Sequence, residues 1–270
     1  MILDKLSGES NEEWRECTMT QTNPKIAIVT GGSRGIGRST VLALANHGVD
    51  SIFTYRSNQE EAEKVVSEIR EIGRKAIALQ LDASNVRTFD AFVQKVQDAL
   101  KEMGATKFDY LVNNAGISHH NSFEKTTEEE LDRLYEVHFK GVFFLTQKLL
   151  PLINDGGRIV NISTGLTRFA VPESGAYASV KGAIEVLTKY LAKELGPRGI
   201  TANVVAPGAI ATDFSGLRTN EELKKLIGGM TALGRAGEPE DVGGAIASLL
   251  SDENHWVTAQ RIEVSGGMSL

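Results

Sequence analysis

The chain has 270 residues, 41% of them hydrophobic and 24% charged, which are the proportions of an ordinary globular domain and exclude a disordered or fibrous protein. The formal net charge of −6 opposes binding to a nucleic-acid backbone but leaves room for one local phosphate pocket. The single cysteine, Cys17, excludes an intramolecular disulfide. Because no long apolar run and no signal-peptide pattern occurs, we expect a cytoplasmic protein without membrane contact.

Short β-rich runs alternate with longer helical patterns after a polar segment at residues 1–23, which we interpret as a flexible tail. Alternation of this kind predicts a parallel sheet, because each parallel connection needs a crossover, usually a helix. We therefore expect one α/β domain over residues 24–270: a Rossmann fold with a doubly wound, seven-stranded parallel sheet and helices on both faces. The predicted strands are 26–29, 51–54, 76–81, 109–113, 157–162, 201–206 and 260–264.

One stretch, about residues 212–238, interrupts the alternation and contains five glycines. Long segments of this kind over the ends of strands often cover a binding site. We interpret this stretch as a substrate lid.

A glycine-rich turn directly follows the first predicted strand and opens the first helix. Its glycines allow tight turning and close approach of the backbone to a pyrophosphate, and a helix N-terminus supplies N–H donors. The turn therefore predicts a dinucleotide site, although a glycine turn that serves packing alone is the alternative. The residues that we assign to this site are Gly31, Ser33, Arg34, Gly35, Ile36 and Gly37.

The residues after the second strand favour NADP(H) over NAD(H). An acidic side chain there would bind the ribose hydroxyls and repel a 2′-phosphate, whereas this sequence has Tyr55, Arg56 and Ser57. Arg56 and Arg34 can both form charge-assisted bonds to one phosphate. We expect NADP(H), with NAD(H) as the alternative.

Tyr177 and Lys181 lie four positions apart at the start of a strong helical pattern, so they share one helix face about 6 Å apart along the axis. A free tyrosine has a pKa of about 10, and a nearby ammonium and an oxidised nicotinamide favour the phenolate. The pair predicts Tyr177 as an acid/base group and Lys181 as the residue that tunes it. Taken alone, the same spacing is common on ordinary helices.

Four motifs in order resemble the short-chain dehydrogenase/reductase family, bacterial 3-oxoacyl-(acyl-carrier-protein) reductases and ketoreductases included. They are the glycine turn, Asn113-Asn114-Ala115-Gly116, the Tyr177/Lys181 pair and Pro207-Gly208, and the match covers about residues 25–270. The resemblance implies an NADP(H)-dependent oxidoreductase that moves a hydride between nicotinamide and a ketone or secondary alcohol, without a metal. It also implies a homotetramer, with a dimer as the alternative.

The resemblance further assigns cofactor contacts to residues on several elements. They are Asp82, Ala83, Asn114, Ala115, Gly116, Tyr177, Lys181, Pro207, Gly208, Ile210 and Thr212.

Two candidate catalytic residues depart from the pattern of the family. Thr164 stands where a serine usually orients the substrate carbonyl; its hydroxyl can donate the same hydrogen bond, and Ser163, facing the opposite side of an extended segment, is the alternative. His138 stands where an asparagine commonly holds a water that links the lysine to solvent. We predict His138 to act in a proton relay, with a purely structural histidine as the alternative.

The expected substrate pocket is largely apolar and suits a small or medium hydrophobic ketone or a 3-oxoacyl thioester. Its predicted lining is His119, Phe123, Leu166, Phe169, Val171, Glu173, Ser174, Phe214 and Leu217. A protein that senses NADP(H) without turnover is the alternative from another class. A dehydratase or epimerase would need a longer chain.

Overall fold

The computed structural model describes residues 24–270, so the predicted tail and Cys17 lie outside the described residues. Within this range, seven parallel strands form one sheet in the order β3-β2-β1-β4-β5-β6-β7. The strands are β1 (Ile26–Val29), β2 (Asp50–Tyr55), β3 (Ala76–Gln80), β4 (Phe108–Asn113), β5 (Ile153–Ile162), β6 (Thr201–Pro207) and β7 (Arg261–Val264). The predicted single-domain, doubly wound Rossmann fold is confirmed.

Helices connect the strands and cover both faces of the sheet. They are α1 (Gly35–Asn46), α2 (Gln59–Glu71), α3 (Phe89–Glu102), α4 (Glu128–Tyr135), α5 (Gly141–Leu149), α6 (Gly175–Leu195), α7 (Glu221–Gly229) and α8 (Pro239–Leu249). A π-helical turn, Glu136–Lys140, joins α4 to α5. The start of α4 is set by a capping box in which Thr127 and Glu130 each accept from the other's backbone N–H.

Two apolar cores sandwich the sheet. Ala27 and Val29 of β1 pack with α1, α2 and α8 on one face, while Ile26 and Ile28 pack with α3, α5 and the end of α6 on the other. Because both faces are covered, successive residues of β1 are all buried and the strand is continuously apolar. Among residues 24–270, no helix combines the length and the apolar character needed to cross a membrane.

Two segments differ from the sequence expectations. β5 begins at Ile153, four residues before the predicted strand, because its polar start pairs with β4 across a register shift between Phe108 and Tyr110. The stretch at residues 212–238 contains α7, capped by the Asn220 side chain. Leu223, Leu226 and Ile227 of α7 have helical spacing, but the run covers only nine residues and ends in Gly228 and Gly229, so this helix was not predicted.

From β1 the chain adds β2 and β3 on one side of the sheet and β4 to β7 on the other, so the strand order reverses between β1 and β4. The crossovers on the two sides of this point, α1 and α2 on one and α5 and α6 on the other, cover opposite faces of the sheet. Such a reversal opens a crevice at the carboxyl ends of the strands. Since all seven strands are parallel, the segments that follow them meet at this edge, and the candidate site is built from them.

Candidate active site

A cavity of about 570 Å³ lies at the carboxyl edge of the sheet and brings together residues from almost every strand end. Its lining includes every predicted catalytic residue and every predicted cofactor residue except Ser57. Ser57 lies beside the start of α2, in a shallow depression on the surface, because the chain turns away from the cavity after Arg56.

The glycine turn has the backbone shape that its sequence predicts. Gly31 and Gly35 have φ values of 69° and 54°, in the left-handed region that favours glycine. A Cβ at Gly37 would lie 2.1 Å from the carbonyl oxygen of Gly31, so only glycine lets α1 approach the turn this closely. No side chain caps the N-terminus of α1, where Arg34 is the N-cap residue, so its first N–H groups stay available to an anion.

Asn114 fastens the glycine turn to the loop after β4. Its Nδ2 donates to the carbonyl oxygens of Thr30 (2.9 Å) and Gly31 (3.1 Å), and Thr30 Oγ1 accepts from the backbone N–H groups of Asn114 and Ala115. On the other side, Gly31 N donates to Thr54 Oγ1 at 3.0 Å. Hydrogen bonds within the chain therefore hold the shape of the turn, and its positive-φ glycines and uncapped helix start fit a pyrophosphate.

Three arginines line the cavity near β2 and α4. Arg56 lies 3.8 Å from Asp82, whose pKa is lowered by hydrogen bonds from Ser84 and by the charges of Arg56 and Arg133. Arg133 was not predicted. It lies on α4, lines the same cavity as Arg34, and has no motif around it that could have singled it out.

Tyr177 and Lys181 occupy the first two turns of α6, with Lys181 Nζ 5.8 Å from the centre of the Tyr177 ring. Nζ donates to the carbonyl oxygen of Ile162 at 2.8 Å, which ties α6 to the end of β5. Burial raises the pKa of Tyr177 and lowers the pKa of Lys181 to about 7. Burial is the cause of both shifts, and the expected lowering of the Tyr177 pKa by Lys181 and an oxidised nicotinamide stays a prediction for the protein with cofactor bound.

Thr164 and Ser163 point in different directions at the end of β5. Thr164 is extended (φ −159°, ψ 153°), only 9% exposed, and its Oγ1 accepts from Leu166 N at 3.3 Å. The Ser163 hydroxyl donates instead to Glu185 Oε1 at 2.7 Å. Ser163 also lines the cavity, but its hydroxyl is engaged by Glu185, which does not line it, and this favours Thr164 as the residue that meets a substrate.

His138 lies in the π-helical turn with its ring edge-on to Tyr177, at 5.3 Å between ring centres. Its Nε2 lies 2.9 Å from the carbonyl oxygen and 3.2 Å from the backbone nitrogen of Ile117. Its Nδ1 is buried and has no hydrogen-bond partner among residues 24–270. Burial, and then the charge of Lys181, lower the pKa of His138 well below its ordinary value, so the imidazole is neutral.

Seven of the nine residues expected to form the substrate pocket line the cavity, together with residues from distant segments. Phe214 lies 6.2 Å from Tyr177 between ring centres. Phe123, 98% exposed, and Glu173 lie outside the lining, because the loop after β4 turns Phe123 outward. The apolar lining residues that were not predicted are Leu81, Ile117, Val137, Ile162, Ala209, Leu223, Ile227 and Met268. Leu223 and Ile227 stand four residues apart on α7, and that spacing is the one signal that could have found them.

Comparison with known proteins gives the chain its family. The sequence model of a family described as enoyl-(acyl carrier protein) reductase matches residues 31–269. A short-chain dehydrogenase/reductase of Pestalotiopsis microspora is 37% identical over 255 residues, which cover 90% of this chain and 94% of that protein. The chain belongs to the short-chain dehydrogenase/reductase family.

Other members of this family share both sequence and structure with the present short-chain dehydrogenase/reductase. The 3-oxoacyl-[acyl-carrier-protein] reductase of Staphylococcus aureus is 38% identical over 246 residues, covering 90% of this chain and 98% of that protein. The promiscuous reductase LugOII, which catalyses keto-reduction at C1 during lugdunomycin biosynthesis, overlays with a TM-score of 0.87 at 39% identity, covering 91% of this chain and 98% of that one. The angucycline C-6 ketoreductase LanV with bound NADP gives a TM-score of 0.86 at 35% identity, covering 91% and 95%.

Proposed function

We propose that this short-chain dehydrogenase/reductase is an NADP(H)-dependent ketoreductase that transfers a hydride between nicotinamide and a ketone or secondary alcohol. One observation carries the proposal: Tyr177, Lys181 and Thr164 line the same continuous cavity as the glycine turn. A protein that only senses NADP(H) would not need a buried tyrosine and lysine beside that turn. Their presence therefore favours chemistry over sensing.

The cofactor side of the cavity explains the expected preference for NADP(H). The uncapped start of α1 would hold the pyrophosphate, and Arg34 and Arg56 would bind a 2′-phosphate beyond β2. Arg133, across the same cavity, would add a third positive charge for the phosphates. When bound, the reduced nicotinamide supplies the hydride. That LanV binds NADP supports the preference.

Tyr177 is the proposed general acid. Burial raises its pKa, so the phenol keeps its proton until negative charge develops on the substrate oxygen, which Thr164 Oγ1 orients. Lys181, anchored to the Ile162 carbonyl and with a pKa of about 7, can return a proton to Tyr177 near neutral pH. The unpartnered Nδ1 of His138 beside Tyr177 supports a place for this residue in the same relay.

The substrate side favours a hydrophobic ketone over a large acidic carrier protein. Three of the four basic residues expected near the entrance, a set that includes Lys225, have an acidic partner: Arg168 bonds Glu263, Arg218 lies 3.3 Å from Asp213, and Lys224 lies 2.9 Å from Glu221. The wall itself is mostly apolar. We place residues 212–238 as the lid of this pocket, since α7 contributes apolar residues to the lining.

Exposed apolar side chains on α4, α5 and α6 support the expected homotetramer, with a dimer as the alternative. They are Leu131, Tyr135, Phe143, Val186 and Tyr190.

The test is the loss of nicotinamide absorbance when the protein is mixed with NADPH, or with NADH in parallel, and a panel of aryl ketones, β-keto esters and a 3-oxoacyl thioester mimic. Tyr177→Phe is the control variant. Consumption of NADPH that disappears in the variant supports the ketoreductase. Tight NADPH binding without turnover across the panel supports the sensor instead.

A further inference from the structure

A cluster of charged and hydroxyl side chains lies behind the candidate active site, and the mechanism above does not use it. Glu185 stands on α6 one helical turn beyond Lys181. Its Oε1 accepts from Ser163 Oγ (2.7 Å), Thr167 Oγ1 (2.7 Å) and Arg261 Nε (2.9 Å). One carboxylate oxygen thus gathers donors from the loop after β5 and from β7.

Arg261 completes the cluster from the edge strand β7. Its Nη2 donates to the carbonyl oxygen of Thr164 at 3.1 Å and to Thr167 Oγ1 at 3.0 Å. The Arg261 and Glu185 side chains are only 24% and 17% exposed. Charge-assisted bonds of this kind are shorter and stronger than neutral ones, and partial burial protects them from screening by salt.

The hydrogen bonds from Thr167, Ser163 and Arg261 lower the pKa of Glu185, although burial by itself would raise it. Glu185 is therefore a carboxylate at neutral pH. Arg261 is the positive partner of Glu185 and also lies 3.8 Å from a second carboxylate, that of Glu263.

We propose that Glu185 and Arg261 are positioning residues that hold Thr164 in register with Tyr177 and Lys181. Glu185 shares a helix with Tyr177 and Lys181, so its place relative to them is fixed by α6. Thr164 lies on a different element, the loop after β5, and Arg261 holds its carbonyl oxygen. The Glu185–Arg261 ion pair thus connects α6 with the loop after β5. These are the two elements whose side chains must meet at one substrate oxygen.

The same chain of charges reaches the substrate wall. Glu263 follows Arg261 by two residues on β7. One of its carboxylate oxygens lies 2.8 Å from Arg168 Nε. Arg168 in turn donates to the carbonyl oxygens of Met268 (2.6 Å) and Ser269 (2.9 Å). Since Met268 lines the cavity, the cluster also orders the C-terminal segment that closes it.

The inference rests on the proposed ketoreductase function, since it concerns the geometry of that reaction. A misplacement of about 1 Å at a reacting group can cost about 100-fold in rate. We expect Glu185→Gln and Arg261→Gln to lower kcat by about 10- to 100-fold, and Arg261→Lys, which keeps the charge, to lower it less. The dissociation constant for NADPH should stay within about 2-fold of the parent, because neither residue lines the cofactor side.

Arg198→Gln is the matched control. Arg198 also binds an acid, Asp155 at 2.8 Å, and two backbone carbonyls, of Leu150 and Ile153, but it does so at the opposite end of β5. A merely structural role predicts equal losses of kcat in Arg198→Gln and Arg261→Gln. The positioning role predicts a loss in Arg261→Gln alone, together with a changed ratio of product enantiomers.

The deciding experiment is a double-mutant cycle between Arg261→Gln and Thr164→Val. If Arg261 acts through Thr164, its substitution adds little to the loss in kcat once the threonine hydroxyl is gone. If the double variant instead loses kcat by the product of the two single losses, the proposal is overturned.

If the parent protein reduces no ketone, the proposed function fails, and the positioning role is then judged by crystal structures. Thr164 should be displaced relative to Tyr177 in Arg261→Gln and unmoved in Arg198→Gln. An unmoved Thr164 in Arg261→Gln, or a displaced one in the control variant, would overturn it.

Discussion

Gly37→Ala is the change for which the structure gives the sharpest expectation. The new Cβ would lie 2.1 Å from the Gly31 carbonyl oxygen and 2.5 Å from Asn114 Nδ2. Real Cβ contacts rarely fall under 3.0 Å, so the turn and α1 must separate by about 0.9 Å, the difference between 3.0 and 2.1. The Gly31 carbonyl is itself held by Asn114, so the movement breaks the bond that shapes the turn.

Overpacking of this kind costs about 1–3 kcal/mol. For a domain of this size, that cost corresponds to a fall in Tm of about 2–12 °C. If the same cost appears in cofactor binding, the affinity for NADPH falls about 5- to 100-fold, since each 1.4 kcal/mol is about tenfold. The measurements are thermal unfolding and titration of NADPH fluorescence.

Gly244→Ala is the matched control, because Gly244 lies within α8 and a Cβ there meets nothing within 4 Å. Alanine is the better helix former, so this variant should be unchanged or slightly more stable. A Gly37→Ala protein with the Tm and NADPH affinity of the parent would refute the view that the close contact at Gly37 shapes the cofactor turn.

Three further predictions concern the candidate site. Tyr177→Phe should lower kcat by about 100- to 10,000-fold, the usual worth of a general acid, while NADPH binding measured by fluorescence stays intact; retained turnover would exclude Tyr177 as the acid. Arg56→Ala should weaken the binding of NADPH about 10- to 100-fold and leave the binding of NADH unchanged, because a charge-assisted hydrogen bond contributes about 1.5–3 kcal/mol. An equal loss of affinity for both cofactors would place Arg56 away from the 2′-phosphate. The pKa of His138 is lowered from 6.5 in the folded protein, so as the pH drops below about 6.5 the unfolded chain binds this proton first and the free energy of unfolding decreases. In His138→Asn, the free energy of unfolding should decrease less steeply with falling pH. An unchanged pH dependence in this variant would contradict the prediction.

The electrostatics of the site follow from burial more than from pairing. Tyr177 and Lys181 are both enclosed, and each is driven toward its neutral form. A positive group brought into the cavity would favour the phenolate and disfavour the ammonium. The protonation of the pair is therefore expected to depend on whether the cavity is occupied.

The sequence by itself determined the architecture and the local motifs. Alternating strand and helix patterns sufficed for the sheet, because both periods are properties of the backbone and appear within short windows. The glycine turn and the Tyr177/Lys181 pair are likewise local: each lies within eight consecutive residues, and their geometry follows from one turn or one helix.

Only the tertiary structure decided which distant residues meet. Arg133, Met268 and the Glu185–Arg261 pair come from elements far apart in the chain, and no local pattern marks them. Burial, which raises the pKa of Tyr177, is also a property of the assembled fold. The physical reason is the same in each case: contacts and desolvation depend on how elements pack, whereas periodicity depends on neighbours in sequence.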